Sequence, residues 1–247
     1  MDRQRRTQAE RREESRRRML DAALALLAER KSLSFSLAEV AERAGYSRGL
    51  PTQTFGTKVE LIRELISHIH VRSMEEVLSR PDQRGQGLGA VLTTVYQLFQ
   101  APEGQVQIMI AVHALLAEAT LPGSPYRAEA AALNRWAVSY LSYNLRLGMA
   151  AGEVREDINP RAQAMVIIAS VRGALLQWLV EPERIALEDL RDELVGALQR
   201  GLSPRPGSLA APGWRPPAPG AAADGSAPLA APLDSAQSPW GAATSSG

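Results

Sequence analysis

The sequence of 247 residues contains no cysteine, and it also lacks any long apolar run. Without cysteine, disulfides, thiolate metal sites and cysteine nucleophiles are excluded. No apolar stretch approaches the roughly 18 residues that a membrane-spanning helix requires, and the charged N-terminus does not have the pattern of a secretory signal. These absences predict a cytoplasmic protein without a membrane segment.

The patterns that mark common enzymes are missing too. The three histidines, His68, His70 and His113, are not spaced with carboxylates in the way that metal ligands are. No nucleophile and base stand at a spacing typical of covalent catalysis, and no glycine-rich phosphate-binding loop stands out. A helical enzyme is therefore disfavoured, and we predict no catalytic residues, no metal and no cofactor.

Alternation of period two is scarce, whereas apolar residues recur at helical spacing along most of the chain. Ser36–Glu39 and Thr57–Glu60 have the capping-box pattern that begins a helix, and Ser124-Pro125 and Asn159-Pro160 favour helix starts. The sequence thus predicts an all-α fold with a loop or an irregular helix end at 80–87. After that loop we predict five helices, at about 86–100, 104–119, 125–149, 160–180 and 187–200.

Charge is unevenly distributed, although the net charge is only +1. Residues 1–72 contain 15 basic and 10 acidic residues, whereas residues 73–247 contain 13 and 17. A basic front on an acidic body favours an anionic partner for the front. We interpret residues 1–15 as a basic N-terminal arm that contacts DNA, with a charged helix end as the alternative. Residues 202–247 are rich in Pro, Gly and Ala and predict a disordered tail.

Two short predicted helices suggest how the basic front binds its partner. A helix at 37–44 and a second at about 48–54 flank a tight turn at Gly45-Tyr46-Ser47. Ala41 and Gly45 are small enough to let the two helices approach closely, and Gly45 permits a positive φ at the turn. This is the spacing of a helix-turn-helix, whose second helix lies in the major groove of DNA.

From Met19 to Leu65 the sequence resembles the DNA-binding domain of the tetracycline-repressor (TetR) family of bacterial regulators. The resemblance implies a three-helix helix-turn-helix DNA-binding domain at 16–70 and a helical effector-binding and dimerisation domain at 71–201. It also implies a dimeric repressor that binds a palindromic double-stranded DNA operator and is released by a small-molecule effector. The matching positions are Ala22, Ala23, Leu27, 36–41, 44–49, 55–58 and Leu61.

Two departures from the family pattern lie in the second helix of the motif. With Ser47 as N-cap, Pro51 would be the fourth helical residue, where it forfeits a hydrogen bond and crowds a carbonyl. We therefore predict a helix that starts late or begins with a loose turn. Thr52-Gln53-Thr54 stand where the family commonly has Tyr-His or a similar aromatic pair. These departures support an alternative function, a helical ligand-binding sensor with a weakened DNA-binding front.

The resemblance also assigns DNA contacts to the motif and its flanks. We expect Arg48 and Gln53 at base edges, since Gln pairs bidentately with adenine, and Thr52 and Lys58 at phosphates. Gly49 would bring the backbone close to a base pair. The alternative for the polar residues is an ordinary solvated surface. The predicted DNA-binding residues are Ser36, Ser47, Arg48, Gly49, Thr52, Gln53 and Lys58.

The resemblance also implies an effector pocket among the helices from 86 to 149. It implies a dimer interface on the last two helices. For each candidate the alternative is ordinary packing inside the protomer. The candidate pocket residues are Tyr96, His113, Trp136, Tyr140, Tyr143, Asn144 and Trp178. The candidate dimer residues are Met165, Ile168, Leu175, Leu179, Leu187, Leu190, Leu194 and Leu198, with the small residues Ala169 and Gly173 nearby.

Overall fold

The computed structural model describes residues 7–78, 85–99 and 103–204, and within these ranges the regular secondary structure is entirely α-helical. The predicted all-α fold is confirmed. Most of the predicted loop at 80–87 and nearly all of the predicted tail at 202–247 lie outside the described residues. The described helices are α1 Gln8–Arg30, α2 Leu37–Ala44, α3 Leu50–Phe55, α4 Lys58–Leu78, α5 Gly87–Phe99, α6 Glu103–Thr120, α7 Arg127–Ala150, α8 Pro160–Val180 and α9 Leu187–Leu202.

The first helix reaches further towards the N-terminus than the predicted arm allows. Thr7 caps α1, because its hydroxyl accepts a hydrogen bond from the Glu10 amide while the Glu10 carboxylate accepts one from the Thr7 amide. Residues 8–15, predicted as part of a separate basic arm, are therefore the first two turns of α1. Residues 1–6, the rest of that arm, lie outside the described residues.

The two helices of the helix-turn-helix meet at a left-handed residue. Ser36 caps α2 with the predicted reciprocal pair of hydrogen bonds to Glu39. Gly45 ends the helix with φ 77°, a conformation that favours glycine. The Tyr46 amide then donates to the Ala41 carbonyl at 2.9 Å, which closes the end of the helix.

The second helix of the motif starts late, as predicted, but Ser47 is not its N-cap. Gly49 occupies that position and Leu50 is the first helical residue, so Pro51 is second rather than fourth. The Gln53 amide donates to the Gly49 carbonyl at 3.2 Å. Since the first amides of a helix have no intrahelical acceptor, Pro51 forfeits no hydrogen bond here. It packs in the interior instead.

The predicted capping box at Thr57 is only half formed. The Glu60 amide donates to the Thr57 hydroxyl at 3.2 Å, as a cap requires. The Glu60 carboxylate, however, accepts from the Thr57 hydroxyl rather than from its amide, which donates to the Phe55 carbonyl. The helix that follows, α4, crosses the predicted domain boundary at residue 70 without a break.

The core of the front continues into the body. Buried residues of α1, α2, α3 and α4 form one apolar cluster around Met19, Leu27 and Leu65, and Leu115 of α6 belongs to the same cluster. A second cluster joins α5, α7, α8 and α9. The helix α6 belongs to the body but packs on α1 of the DNA-binding domain. This contact fixes the DNA-binding domain against the body.

The five helices of the body begin and end within two residues of their predicted limits. Asn159 caps α8 as predicted, since its side-chain oxygen accepts from the amides of Arg161 and Ala162 at 3.0 and 3.1 Å. Ser124 does not cap α7, which begins at Arg127. Its hydroxyl accepts from the Tyr126 amide in the preceding turn instead.

Two helices of the body cross at an exceptionally short distance. A β-carbon added to Gly148 of α7 would lie 3.0 Å from the Leu88 amide nitrogen of α5 and 2.7 Å from the Val154 side chain. Glycine is therefore required there for packing. The Glu153 carboxylate also accepts from the Leu88 amide at 3.0 Å, which ties the end of α7 to the start of α5.

Candidate DNA-binding surface and ligand cavity

The residues predicted to contact DNA lie on an exposed surface around the start of α3. Ser47, Arg48, Gly49, Thr52 and Gln53 are all exposed. Gly49 has an ordinary φ of −83°, and a β-carbon there would meet no atom within 4 Å. Neither the backbone nor the packing of the protomer requires glycine at position 49. A close approach of a binding partner to the backbone remains a reason for the glycine.

Most cations near this surface already have partners. Arg30 pairs with Glu39, and Arg43 pairs with Glu29 through two hydrogen bonds. Arg48, in contrast, makes no ion pair within the described residues. An exposed, unpaired guanidinium next to α3 can bind a phosphate or a base edge without first leaving another partner.

Two residues predicted to contact phosphate are engaged inside the protomer. The Lys58 ammonium donates to the Leu33 carbonyl and lies 5.2 Å from the centre of the Phe35 ring. The Ser36 hydroxyl donates to the Glu39 carboxylate at 2.8 Å. The pKa of Glu39 is lowered from 4.5 to about 2. The largest cause is the hydrogen bond from Arg30, followed by the hydrogen bonds from Ser36. Ser36 and Glu39 thus act as a charged cap on α2.

One helix connects the front with the body. His68 of α4 lies 2.9 Å from the Asp21 carboxylate of α1 through its Nε2 atom. Two residues further along α4, the His70 ring lies 5.1 Å from the Trp136 ring of α7, and burial lowers the pKa of His70. Arg63 of α4 also pairs with Glu129 of α7 at 3.0 Å.

The body contains a partly open cavity of about 170 Å³ between α5, α6, α7 and α8. Its wall is mostly aliphatic and aromatic, with a few polar groups, which is the composition of a small-molecule site. The lining residues are Thr94, Val95, Gln97, Leu98, Ile108, Met109, Val112, His113, Leu133, Trp136, Ala137, Tyr140, Leu141, Ile167, Ile168, Val171, Arg172 and Leu175.

Three of the seven predicted pocket residues, His113, Trp136 and Tyr140, line this cavity. The other four do not. Tyr96 lies under the Arg191 guanidinium at 4.6 Å, Tyr143 is exposed, and Trp178 is half-buried outside the cavity wall. The Asn144 side chain forms a hydrogen bond within its own helix, where its amide nitrogen donates to the Tyr140 carbonyl at 3.1 Å.

The sequence reasoning missed the most polar part of the cavity, which centres on Arg172 of α8. Its guanidinium donates to the Asn134 side-chain oxygen at 2.8 Å, and burial lowers its pKa. His113 lies between two carbonyl oxygens, with Nδ1 2.8 Å from that of Met109 and Nε2 3.0 Å from that of Arg172. The available signal was an arginine in the middle of an apolar helix.

The residues predicted for the dimer surface are divided between the core of the protomer and its exterior, where Met165 lies. Leu175 and Leu198 are buried in the core of the protomer, and Ile168 and Leu175 also line the cavity. Leu187, Leu190 and Leu194 pack partly against the same core, and Leu179 is half-buried.

The outer face of α8 instead carries an apolar stripe about 100° wide. Its large members, Met165, Val166, Leu176 and Val180, are 52%, 56%, 52% and 70% exposed. The small residues Ala169 and Gly173 lie on the same stripe and are exposed as well. By length and composition α8 is also long and apolar enough to cross a membrane, whereas the sequence analysis predicted no such segment. One such helix is weak evidence, since core helices of soluble proteins pass too.

A helix-turn-helix with an exposed second helix, mounted on a helical body, is the architecture of a DNA-binding transcriptional regulator. Residues 19–65 match the family described as bacterial regulatory proteins, tetR family. The match identifies the front of the chain as a TetR-type DNA-binding domain. No curated protein matches the sequence significantly.

Solved structures share the fold at low sequence identity. A protein described as a TetR-family transcriptional regulator, from Rhodococcus sp., is 24% identical over 77% of this chain and 100% of its own, with a TM-score of 0.67. A transcriptional regulator from Saccharomonospora viridis in complex with choline is 19% identical over 78% and 100%, with a TM-score of 0.69. SmeT, the repressor of a Stenotrophomonas maltophilia multidrug efflux pump, in its triclosan complex is 22% identical over 83% and 99%, with a TM-score of 0.65.

Proposed function

We propose that this protein is a cytoplasmic transcriptional repressor that binds a palindromic operator as a homodimer and leaves it when a small molecule fills the cavity. The position of α4 is the observation that carries the proposal. Through His68 this helix contacts α1 of the DNA-binding domain, and through His70 it contacts the cavity wall. A change at the cavity therefore has a short physical path to the helix-turn-helix.

The exposed residues around the start of α3 would read the operator. Gly49 and Gln53 are four residues apart and lie on one side of the helix start, and the unpaired Arg48 directly precedes Gly49. In helix-turn-helix proteins the first residues of the second helix contact base edges. We assign Arg48 and Gln53 to bases and Thr52 to a phosphate, while Ser36 and Lys58 would have to release their present partners to contact DNA.

The apolar stripe on α8 would form the centre of the dimer interface. A palindromic operator requires a two-fold symmetric protein, and an isologous interface uses the same patch on both copies. The stripe is continuous and exposed in the protomer, and its two small residues allow a second helix to approach closely. A second copy of this chain is therefore the partner that best accounts for the stripe.

The effector would act through Trp136. A molecule that fills the cavity pushes on this ring, which lies 5.1 Å from His70, and α4 would move with it. Movement of α4 in both protomers changes the separation of the two α3 helices, so they no longer match adjacent turns of the groove. A coupling free energy of about 1–3 kcal/mol is typical for such systems.

The alternative, a ligand-binding sensor with a weakened DNA-binding front, has two supporting observations. Thr52-Gln53-Thr54 stand where the family commonly has an aromatic pair, and Lys58 and Ser36 are engaged inside the protomer. The support from Pro51 weakens, because Pro51 forfeits no hydrogen bond at the start of α3. The two functions differ in one property, the affinity for a specific DNA site.

Fluorescence anisotropy with DNA from upstream of the protein's own gene tests the proposal. The full-length protein is titrated onto this fragment and onto random DNA at several salt concentrations, beside Gln53→Ala. We expect binding to the specific fragment to exceed binding to random DNA by at least about 10³-fold. We expect Gln53→Ala to weaken specific binding by about 10-fold or more and to leave binding to random DNA unchanged.

Equal, weak and steeply salt-dependent binding to both DNAs would contradict repression of the neighbouring gene. A selection from genomic fragments then follows. If that selection also yields no specific site, the sensor alternative stands in place of the repressor.

A further inference from the structure

The cavity contains a cation for which the described residues offer no opposite charge. Arg172 lines the cavity, and its guanidinium donates one hydrogen bond, to the neutral amide of Asn134 at 2.8 Å. No carboxylate of the described residues lies within ion-pair distance of it, and burial alone shifts its pKa, downwards. Arg63, by comparison, has two carboxylates, Glu60 and Glu129, within 3.2 Å.

A half-buried guanidinium without a counter-charge is costly for the folded state. Removing a charge from water costs free energy that only a counter-charge and hydrogen bonds return. Arginine cannot avoid this cost by losing its proton under ordinary conditions, and it has five N–H donors, of which Asn134 occupies one. The remaining donors form the planar fork that binds a carboxylate through two parallel hydrogen bonds.

We propose that the cavity takes a compact amphipathic carboxylate, with its charged group on Arg172 and its apolar part between Trp136, Tyr140 and the aliphatic wall. This inference rests on the cavity being the effector site of the proposed function and names the chemical class of the effector. The size of the cavity limits the apolar part. An engineered cavity of about 150 Å³ holds benzene, so about 170 Å³ suits one aromatic ring or a short chain.

The opposite charge is the main competing chemistry for this cavity. The rings of Trp136 and Tyr140 stack at 6.1 Å between centroids, and aromatic faces attract cations. Arg172 in the same small cavity repels a second cation, however, and the effect is strong where water is excluded. The sign of the ligand's charge therefore decides between a carboxylate and a cation as the ligand of this cavity.

Three compounds with one skeleton test the proposal: phenylacetate, 2-phenylethanol and 2-phenylethylammonium. Each is titrated into the full-length protein by isothermal calorimetry, with the fluorescence of Trp136 and the other tryptophans as a second readout. We expect phenylacetate to bind at least about 10-fold more tightly than the alcohol, since a charge-assisted bidentate contact contributes about 1.4 kcal/mol or more. We expect the ammonium compound to bind most weakly.

Two variants locate the effect at one side chain. Arg172→Met keeps an unbranched apolar stem and removes the guanidinium, and we expect it to bind phenylacetate and the alcohol with equal affinity, within about 3-fold. Arg161→Met is the matched control, because Arg161 belongs to the same helix but is exposed and does not line the cavity. It should keep the full preference for the carboxylate. The comparison among the three compounds needs only the unmodified protein, so it remains valid if Arg172→Met does not fold.

Several results would overturn the inference: tightest binding by the alcohol or the ammonium compound, an undiminished preference in Arg172→Met, or no binding of any compound at millimolar concentration. Operator anisotropy separates these results from a failure of the repressor proposal. If the protein binds its operator and only the alcohol or the ammonium compound releases it, the repressor proposal stands and the carboxylate inference fails. If phenylacetate binds as expected but no DNA site is bound specifically, the carboxylate inference stands and the repressor proposal fails.

Discussion

The front and the body of this protein differ in where they place charge. In the front, exposed carboxylates of α1 and α2 pair with arginines, as in Glu29–Arg43 and Arg30–Glu39, and the interior is apolar. In the body, the interior contains a cavity with an arginine on its wall. A close-packed interior holds one shape, whereas a cavity with an uncompensated charge leaves room and attraction for a second molecule.

This difference suggests a division of labour. The front must present α3 at a fixed angle, and its capped helices and small residues at the turn serve that purpose. Under the proposed function the body would exist in two arrangements of similar free energy, and a cavity next to the connecting helix α4 would allow that. The predictions below test each half of this comparison.

The largest effect should follow from a charge on the apolar stripe. Leu176→Glu places two carboxylates at the proposed two-fold interface, where each would be buried without a partner at a cost of several kcal/mol. We expect the variant to be monomeric and to lose at least about 10²-fold in affinity for the operator. Light scattering coupled to size-exclusion chromatography measures the first effect, and anisotropy measures the second.

Leu121→Glu is the matched control, because Leu121 follows α6 and is 51% exposed, almost the same as Leu176 at 52%. We expect it to remain dimeric with unchanged affinity for the operator. A dimeric Leu176→Glu variant would show that the stripe on α8 is not the interface.

The fold of the front could be predicted from the sequence because local signals determine it. Ser36 and Glu39 form the predicted cap, and Gly45 ends α2 at the predicted residue in the predicted conformation. Pro51 is the exception. Its position in the helix depends on where the chain leaves the turn, and one short motif contains no signal that distinguishes Ser47 from Gly49 as the N-cap.

The body was predictable in its helices but less so in its faces. Apolar residues cover most sides of α8, so periodicity does not tell the outer stripe from the inner face that contains Leu175. The cavity depends on contacts between helices distant in the sequence, such as Arg172 with Asn134. His113, Trp136 and Tyr140 were found because they are polar or aromatic residues on apolar faces. Arg172 was missed because its partner, Asn134, is 38 positions away in the sequence.

The next largest effect tests whether the unpaired arginine of the front contacts DNA. We expect Arg48→Ala to weaken operator binding by about 10- to 100-fold, the range for a lost base contact. Arg43→Ala removes an arginine that already pairs with Glu29, and we expect it to change operator affinity by less than about 3-fold. Anisotropy at one fixed salt concentration measures both. Equal losses for the two variants would mean that the ion pairs of the front do not determine which arginines bind DNA.

A smaller effect tests the late start of α3. At the second helical position Pro51 forfeits no hydrogen bond, and it restricts the unfolded chain, so Pro51→Ala should lower the free energy of unfolding by about 0.5–1.5 kcal/mol. If Pro51 were the fourth residue of a helix capped by Ser47, the same change would raise it, by up to about 3 kcal/mol. Urea denaturation followed by circular dichroism measures the sign.

The smallest effect concerns the charged cap of α2. The pKa of Glu39 is lowered to about 2 in the folded protein, chiefly by its hydrogen bond with Arg30. A carboxylate whose pKa is lower when folded stabilises the fold above its unfolded pKa, and this contribution is lost as the pH falls from about 4.5 towards 2. We expect the urea midpoint of Glu39→Gln to decrease less than that of the unmodified protein between pH 6 and pH 3. Glu42→Gln, on the same helix but without an ion pair within the described residues, should follow the unmodified protein. If all three proteins showed the same decrease, Arg30 and Glu39 would contribute too little in water to hold α2 against α1, and apolar contacts around Val40 would have to position the helix-turn-helix by themselves.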